Sequence, residues 1–183
     1  VSAGDVFEVR GEVIERTKAD LLVVGPHRRR KFFDQIRETT MEHLGRASAA
    51  PVLLAVDAGQ PDYRDVLCGV DLSEVCAAAL HKIAAVAPKG ALTLFHAHEV
   101  SFRAEAERDY KTWQSMYALP SGLPEPVFVE GKITDALHDM LGAKAYDLLA
   151  IGAHTRSSAG RYMLGGFSAG LIRRPPCDQL LAK

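Results

Sequence analysis

The chain has 183 residues, 48% of them hydrophobic and 25% charged, with a net charge of -1. That is enough apolar material for one large or two small cored domains. The charge balance argues against nucleic acid or an anionic membrane as the main partner. Three cysteines without paired spacing (Cys68, Cys76 and Cys177) fit free thiols in a reducing compartment, so a cytoplasmic protein is expected. No zinc-type Cys/His pattern and no apolar run of membrane-spanning length is present.

In chain order, residues 1–56 read as helix, strand, loop, helix and strand. Residues 57–63 (DAGQPDY) read as a linker. The apolar run 65–70 predicts a buried strand. The helix over 74–87 follows from Cys76, Ala79, Leu80, Ile83 and Ala87 at helical spacing, with Ser73 as its N-cap. A second strand is expected at 91–96 and a helix within 99–119, where Trp113, Met116 and Tyr117 suggest helix packing. Pro120, Gly122, Pro124 and Pro126 break the chain. A short strand follows at 126–130. Ile133, Ala136, Leu137, Met140 and Leu141 then give an amphipathic helical stripe. A continuous apolar strand is expected at 147–152, then a Gly/Ser-rich loop, a helix near 166–174 stopped by Pro175 and Pro176, and a last strand at 179–182.

Alternating strands and helices predict an α/β domain with a mainly parallel, doubly wound sheet. Strands that are apolar throughout are covered on both faces. Ligands of such sheets sit at the carboxyl ends of the strands, where the strand order reverses.

Sliding residues 1–56 onto 128–183, an offset of 127, gives 12 identities in 56 positions, against roughly three or four by chance. Gly4 falls on Gly131, Asp20 on Asp147, Gly25 on Gly152, His27 on His154, and Leu53-Leu54-Ala55 on Leu180-Leu181-Ala182. Residues 1–56 therefore read as the back half of a repeat whose complete copy is 64–183. Two strands and two helices do not cover themselves, so the front half of the first unit is expected to come from elsewhere.

Three constellations bear on chemistry. Gly152 ends a strand, and a loop through His154, Thr155 and Arg156 leads to Gly165 and Gly166 before a helix. Backbone N–H groups at such a helix start make an anion site, and an ordinary glycine-rich turn fits equally well. Gly166-Phe167-Ser168-Ala169-Gly170 matches the nucleophile elbow of hydrolases, but no His follows Ser168 and a loop precedes the motif. His96 and His98 share one face of a strand and read as polar rim residues rather than metal ligands.

The ordered set Val70-Asp71-Leu72-Ser73, Phe95-His96-Ala97, Asp147 to Gly152, the loop to Ser168, and Pro176-Cys177-Asp178 resembles the universal stress protein family. The likeness covers 64–183 in full and extends to 1–56 as the back half of a second copy. It implies a five-stranded parallel sheet in the order 3-2-1-4-5, of the adenine-nucleotide alpha-hydrolase-like type, with pairing through the last strand, between subunits or between repeats. It also implies ATP, with Mg²⁺, bound by G-x2-G-x9-G-[S/T] after the fourth strand and by an Asp after the first. Gly152 and Gly165 match that motif. Thr155 stands at its second glycine and Gly166 at its Ser/Thr. Asp71 would lie near adenine and ribose, and the Ala97 backbone would meet the adenine edge. Leu72, Ser73, His154, Arg156, Phe167 and Ser168 complete the implied nucleotide contacts. In the first repeat Arg28 and Glu38 replace two motif glycines, so no nucleotide is expected there.

The resulting expectation is a stress-response regulatory module with a degenerate adenine-nucleotide site and at most weak ATP hydrolysis. The alternative is a dimerisation or interaction module of the same fold that binds no nucleotide. Neither catalytic nor metal-ligating residues are assigned.

Overall fold

The computed structural model describes residues 16–25, 50–56, 62–152, 170–172 and 174–182. Among the described residues seven strands are present: β1 (Leu22–Val24), β2 (Val52–Leu54), β3 (Asp65–Gly69), β4 (Ala91–His98), β5 (Val127–Glu130), β6 (Leu148–Gly152) and β7 (Asp178–Ala182). Among the described residues, helices α1 (Glu74–Val86), α2 (Arg103–Met116) and α3 (Ile133–Ala143) lie between β3 and β4, β4 and β5, and β5 and β6.

All seven strands form one sheet in the order β1-β2-β7-β6-β3-β4-β5. Numbered from the start of residues 64–183, the last five strands stand in the order 3-2-1-4-5. All their pairings are parallel. β1 and β2 are parallel to each other, and β2 lies antiparallel against β7.

Residue alternation along the strands explains why they read as unbroken apolar runs. Val66, Cys68, Leu94, Leu148, Ala150 and Leu180 face a core shared with α1 and with Tyr110 and Trp113 of α2. Leu67, Phe95, Leu149, Ile151 and Leu181 face a second core with Ala136 and Leu137 of α3 and with Ile172. Successive side chains of a strand point to opposite faces, so a strand covered on both sides needs apolar residues at every position. The segments 22–24 and 52–54 take part in the same cores: Leu53 joins the first, and Val52, Leu22 and Val24 the second.

β4 extends two residues beyond the expected 91–96, because Ala97 and His98 pair with Val129 and Glu130 of β5. The helix expected within 99–119 is α2. Its Trp113 is buried, whereas Met116 is 69% exposed, so Met116 does not serve the packing expected of it.

At the opposite rim from the strand exits, Asp147 binds the start of β3. Its Oδ2 accepts from the amides of Arg64 (2.8 Å) and Asp65 (3.1 Å). Lys144 forms an ion pair with Asp65 there. These contacts fix where β3 and β6 begin, and so where their carboxyl ends emerge.

Candidate nucleotide site

β3 lies between β6 and β4. The chain leaves β3 towards β4 on one side, while β6 leads to β7 on the other. This is the reversal of strand order at which open α/β sheets bind ligands. The residues at this rim are Asp71, Leu72 and Ser73 after β3, Ala97 near the end of β4, and Gly152 at the end of β6.

The loop from β3 to α1 is tightly determined. Leu72 has φ +60°, a left-handed conformation that is uncommon for a side chain of its bulk. This turn carries Ser73 back over Asp71. Asp71 Oδ1 accepts from the Ser73 hydroxyl (2.6 Å) and amide (3.2 Å). Ser73 Oγ in turn accepts from the Cys76 amide at 3.0 Å and caps α1. Ser73 is thus the N-cap expected from the sequence, and its side chain is joined to Asp71. The Asp71 carboxylate supports the cap, and any ligand meets a carboxylate already holding Ser73.

Two contacts from other elements complete the loop, and neither was legible in residue spacing. Trp113 Nε1 donates to the Ser73 carbonyl at 3.0 Å. His96 Nδ1 donates to the Val70 carbonyl at 2.7 Å. Both are side-chain-to-backbone bonds between segments that meet only in the folded chain. Leu72, Asp109, Thr112, Trp113, Met116 and Tyr117 line an open groove of about 250 Å³ beside this loop.

The two histidines of β4 do not converge. His98 Nδ1 donates to the Glu99 carbonyl at 2.8 Å, whereas His96 is turned onto Val70. Among the described residues no group of three or more His, Cys, Asp or Glu could hold a metal ion. Beneath the loop, the buried thiols of Cys68 and Cys76 each lie 3.8 Å from the Gly69 carbonyl. The bond to Cys76 and burial push the Cys68 thiol well above its ordinary pKa, which keeps it protonated and unreactive.

Gly152 is paired with Ala182 of β7 and closes β6 beside β3. The structure thus places Asp71, Leu72, Ser73, Ala97 and Gly152 at one rim. His154, Thr155, Arg156, Gly165, Gly166, Phe167 and Ser168 lie outside the described residues.

No protein-family model and no curated protein sequence matches the chain. Solved structures do match it. A functionally unknown protein from Pseudomonas aeruginosa PAO1 aligns with TM-score 0.69 and 15% identity, over 97% of this chain and 68% of that one. A universal stress protein from Archaeoglobus fulgidus DSM 4304 aligns with TM-score 0.62 and 20% identity, over 94% of this chain and 64% of that one. The chain therefore has the fold found in universal stress proteins, an α/β sheet with five parallel strands in the order 3-2-1-4-5 and two further strands beside the last of them.

Proposed function

We propose that the chain is a stress-response regulatory module of the universal stress protein type, with an adenine-nucleotide site in residues 64–183. It binds and presents the nucleotide with little turnover, and it acts in the cytoplasm. The observation that carries this reading is the meeting of Asp71, Ala97 and Gly152 at the rim where β6, β3 and β4 reverse their order. In this reading Gly152 and Gly165 let the backbone approach the phosphates of ATP and its Mg²⁺. Thr155 and Gly166 make the site weaker than the motif it resembles.

The same reading divides the chain into a back half-unit (1–56), a linker (57–63) and a complete unit (64–183). Strand register supports the division. β1 pairs with β2 at Leu22↔Val52, and β6 pairs with β7 at Leu149↔Gln179, the same two positions displaced by 127. β2 and β7 pair with Leu53 opposite Leu180, which are equivalent positions under that displacement. The two units thus meet about a local two-fold axis through their last strands, within one chain.

Calorimetric titration with ATP and Mg²⁺ tests the site. Binding is expected in the micromolar to millimolar range, and Asp71→Ala should weaken it at least tenfold. No heat at millimolar ligand would remove the nucleotide part. The engagement of Asp71 Oδ1 by Ser73 favours a second reading, an interaction module of the same fold without nucleotide, and that outcome would select it.

A further inference from the structure

We propose that His96 is a positioning residue: its imidazole takes the Val70 carbonyl at the place where the β3–β4 ladder would continue, and so leaves the peptide edge of Ala97 turned towards a ligand. The ligand part rests on the adenine-nucleotide reading above. The positioning part rests only on the geometry of the β3–β4 ladder and of the His96 side chain.

β3 and β4 pair in parallel register from Asp65↔Ala91 to Gly69↔Phe95. The next ladder bond forms as expected, from the Val70 amide to the Phe95 carbonyl at 2.8 Å. In a parallel pair the following bonds would run from the Ala97 amide to the Val70 carbonyl, and from the Leu72 amide to the Ala97 carbonyl. Among the described residues neither is found. The Val70 carbonyl accepts instead from His96 Nδ1 at 2.7 Å, and Leu72, with φ +60°, turns the chain away. A carbonyl only accepts, so Nδ1 carries the proton of this bond.

The N–H and C=O of one strand residue point to the same side, and successive residues alternate sides. Phe95 is bonded towards β3, whereas the His98 carbonyl accepts from Gly131 beyond β5. Ala97 therefore directs its amide and carbonyl into the gap above β3, beside Asp71. An N–H and a C=O in line form a donor–acceptor pair complementary to the N1 and N6 edge of adenine. Phe128 holds the imidazole in place, with ring centroids 5.9 Å apart in an edge-on arrangement.

The test combines a ligand-independent readout with a titration. Amide hydrogen exchange on the wild-type protein should show Ala97 exchanging faster than the ladder amides of β4. In His96→Phe the Val70 carbonyl loses its side-chain donor and the ladder closes. Ala97 exchange should then slow about tenfold, as one added hydrogen bond implies. In His96→Asn the amide Nδ2 sits where Nδ1 did, so Ala97 should remain fast. Adenosine, a probe without phosphate, should bind His96→Phe about tenfold more weakly than wild type and His96→Asn within about threefold. A merely structural role for His96 would not give this rescue.

An Ala97 amide already as protected as its neighbours in wild type would overturn the proposal, even if the Phe variant fails to fold. So would a Phe variant with unchanged exchange and unchanged adenosine affinity. If the exchange pattern holds but wild type binds no adenosine, the nucleotide reading falls and the positioning role of His96 stands.

Discussion

Asp178 is a charged residue in the middle of a buried sheet, 3% exposed at the start of β7. Its Oδ1 accepts from the Val56 amide at 2.6 Å, and its Oδ2 from the Tyr63 hydroxyl at 2.7 Å. Both donors lie outside residues 64–183, one just after β2 and one just before β3. The carboxylate therefore ties residues 52–56 and the approach to β3 to the last strand. Hydrogen bonds to a charged group contribute about 1.5–3 kcal/mol each, and an orphaned buried donor costs a similar amount. Because Tyr63 is only half-buried, its bond belongs at the low end. Asp178→Ala should then cost about 3–4 kcal/mol and Tyr63→Phe about 1.5 kcal/mol. The two changes share one bond, so the double variant should cost about 1–2 kcal/mol less than their sum. Urea denaturation followed by fluorescence and circular dichroism gives all three values. A loss below about 0.5 kcal/mol for Asp178→Ala, or strict additivity, would refute the assignment of Asp178 as the clamp between the two segments.

Two other outcomes follow from the same packing around β3 and β7. Burial, then the neighbouring charges of Asp178 and Asp147, push the Cys177 thiol up to about 12 from 9.0. A raised folded value means the contribution is whole below the unfolded value and is lost as pH rises towards the folded one. Stability should therefore fall between about pH 9 and 12, steeply enough to see as a drop in Tm. Cys177→Ser should flatten that slope by about 2 kcal/mol across the window, after discounting for partial exposure. An unchanged alkaline slope would contradict the burial assigned to this thiol. At Gly90 an added Cβ would meet Val66 Cγ2 at 2.9 Å and the Tyr63 carbonyl at 3.1 Å. Gly90→Ala should cost about 1–3 kcal/mol by overpacking, measured by the same denaturation, and a neutral result would show that the turn before β4 relaxes freely.

The elements were largely legible because each follows from a local pattern. The stripe from Ile133 to Leu141 gave α3, Ser73 gave the start of α1, and the apolar runs gave β3, β6 and β7 within one residue of their ends. The end of β4 was not legible, since its last residues are strand only because β5 pairs with them. At the rim, residue types and resemblance pointed to Asp71, Ala97 and Gly152. Spacing held no sign of the bonds from Trp113 and His96 to the loop, because the acceptors are backbone carbonyls, which carry no mark in a sequence.

Residue order by itself determined the alternation of strands and helices, the coverage of both sheet faces, and the likeness of positions 127 apart. Hydrophobic period and turn chemistry act over a few residues, and a string of letters records them directly. Tertiary structure decided that β2 runs antiparallel against β7 with Leu53 opposite Leu180, that Asp71 holds Ser73, and that Val70 is bonded by an imidazole. Each of these joins groups distant in the chain or fixes the direction of a side chain, and only the packed geometry selects among the partners that the sequence leaves open.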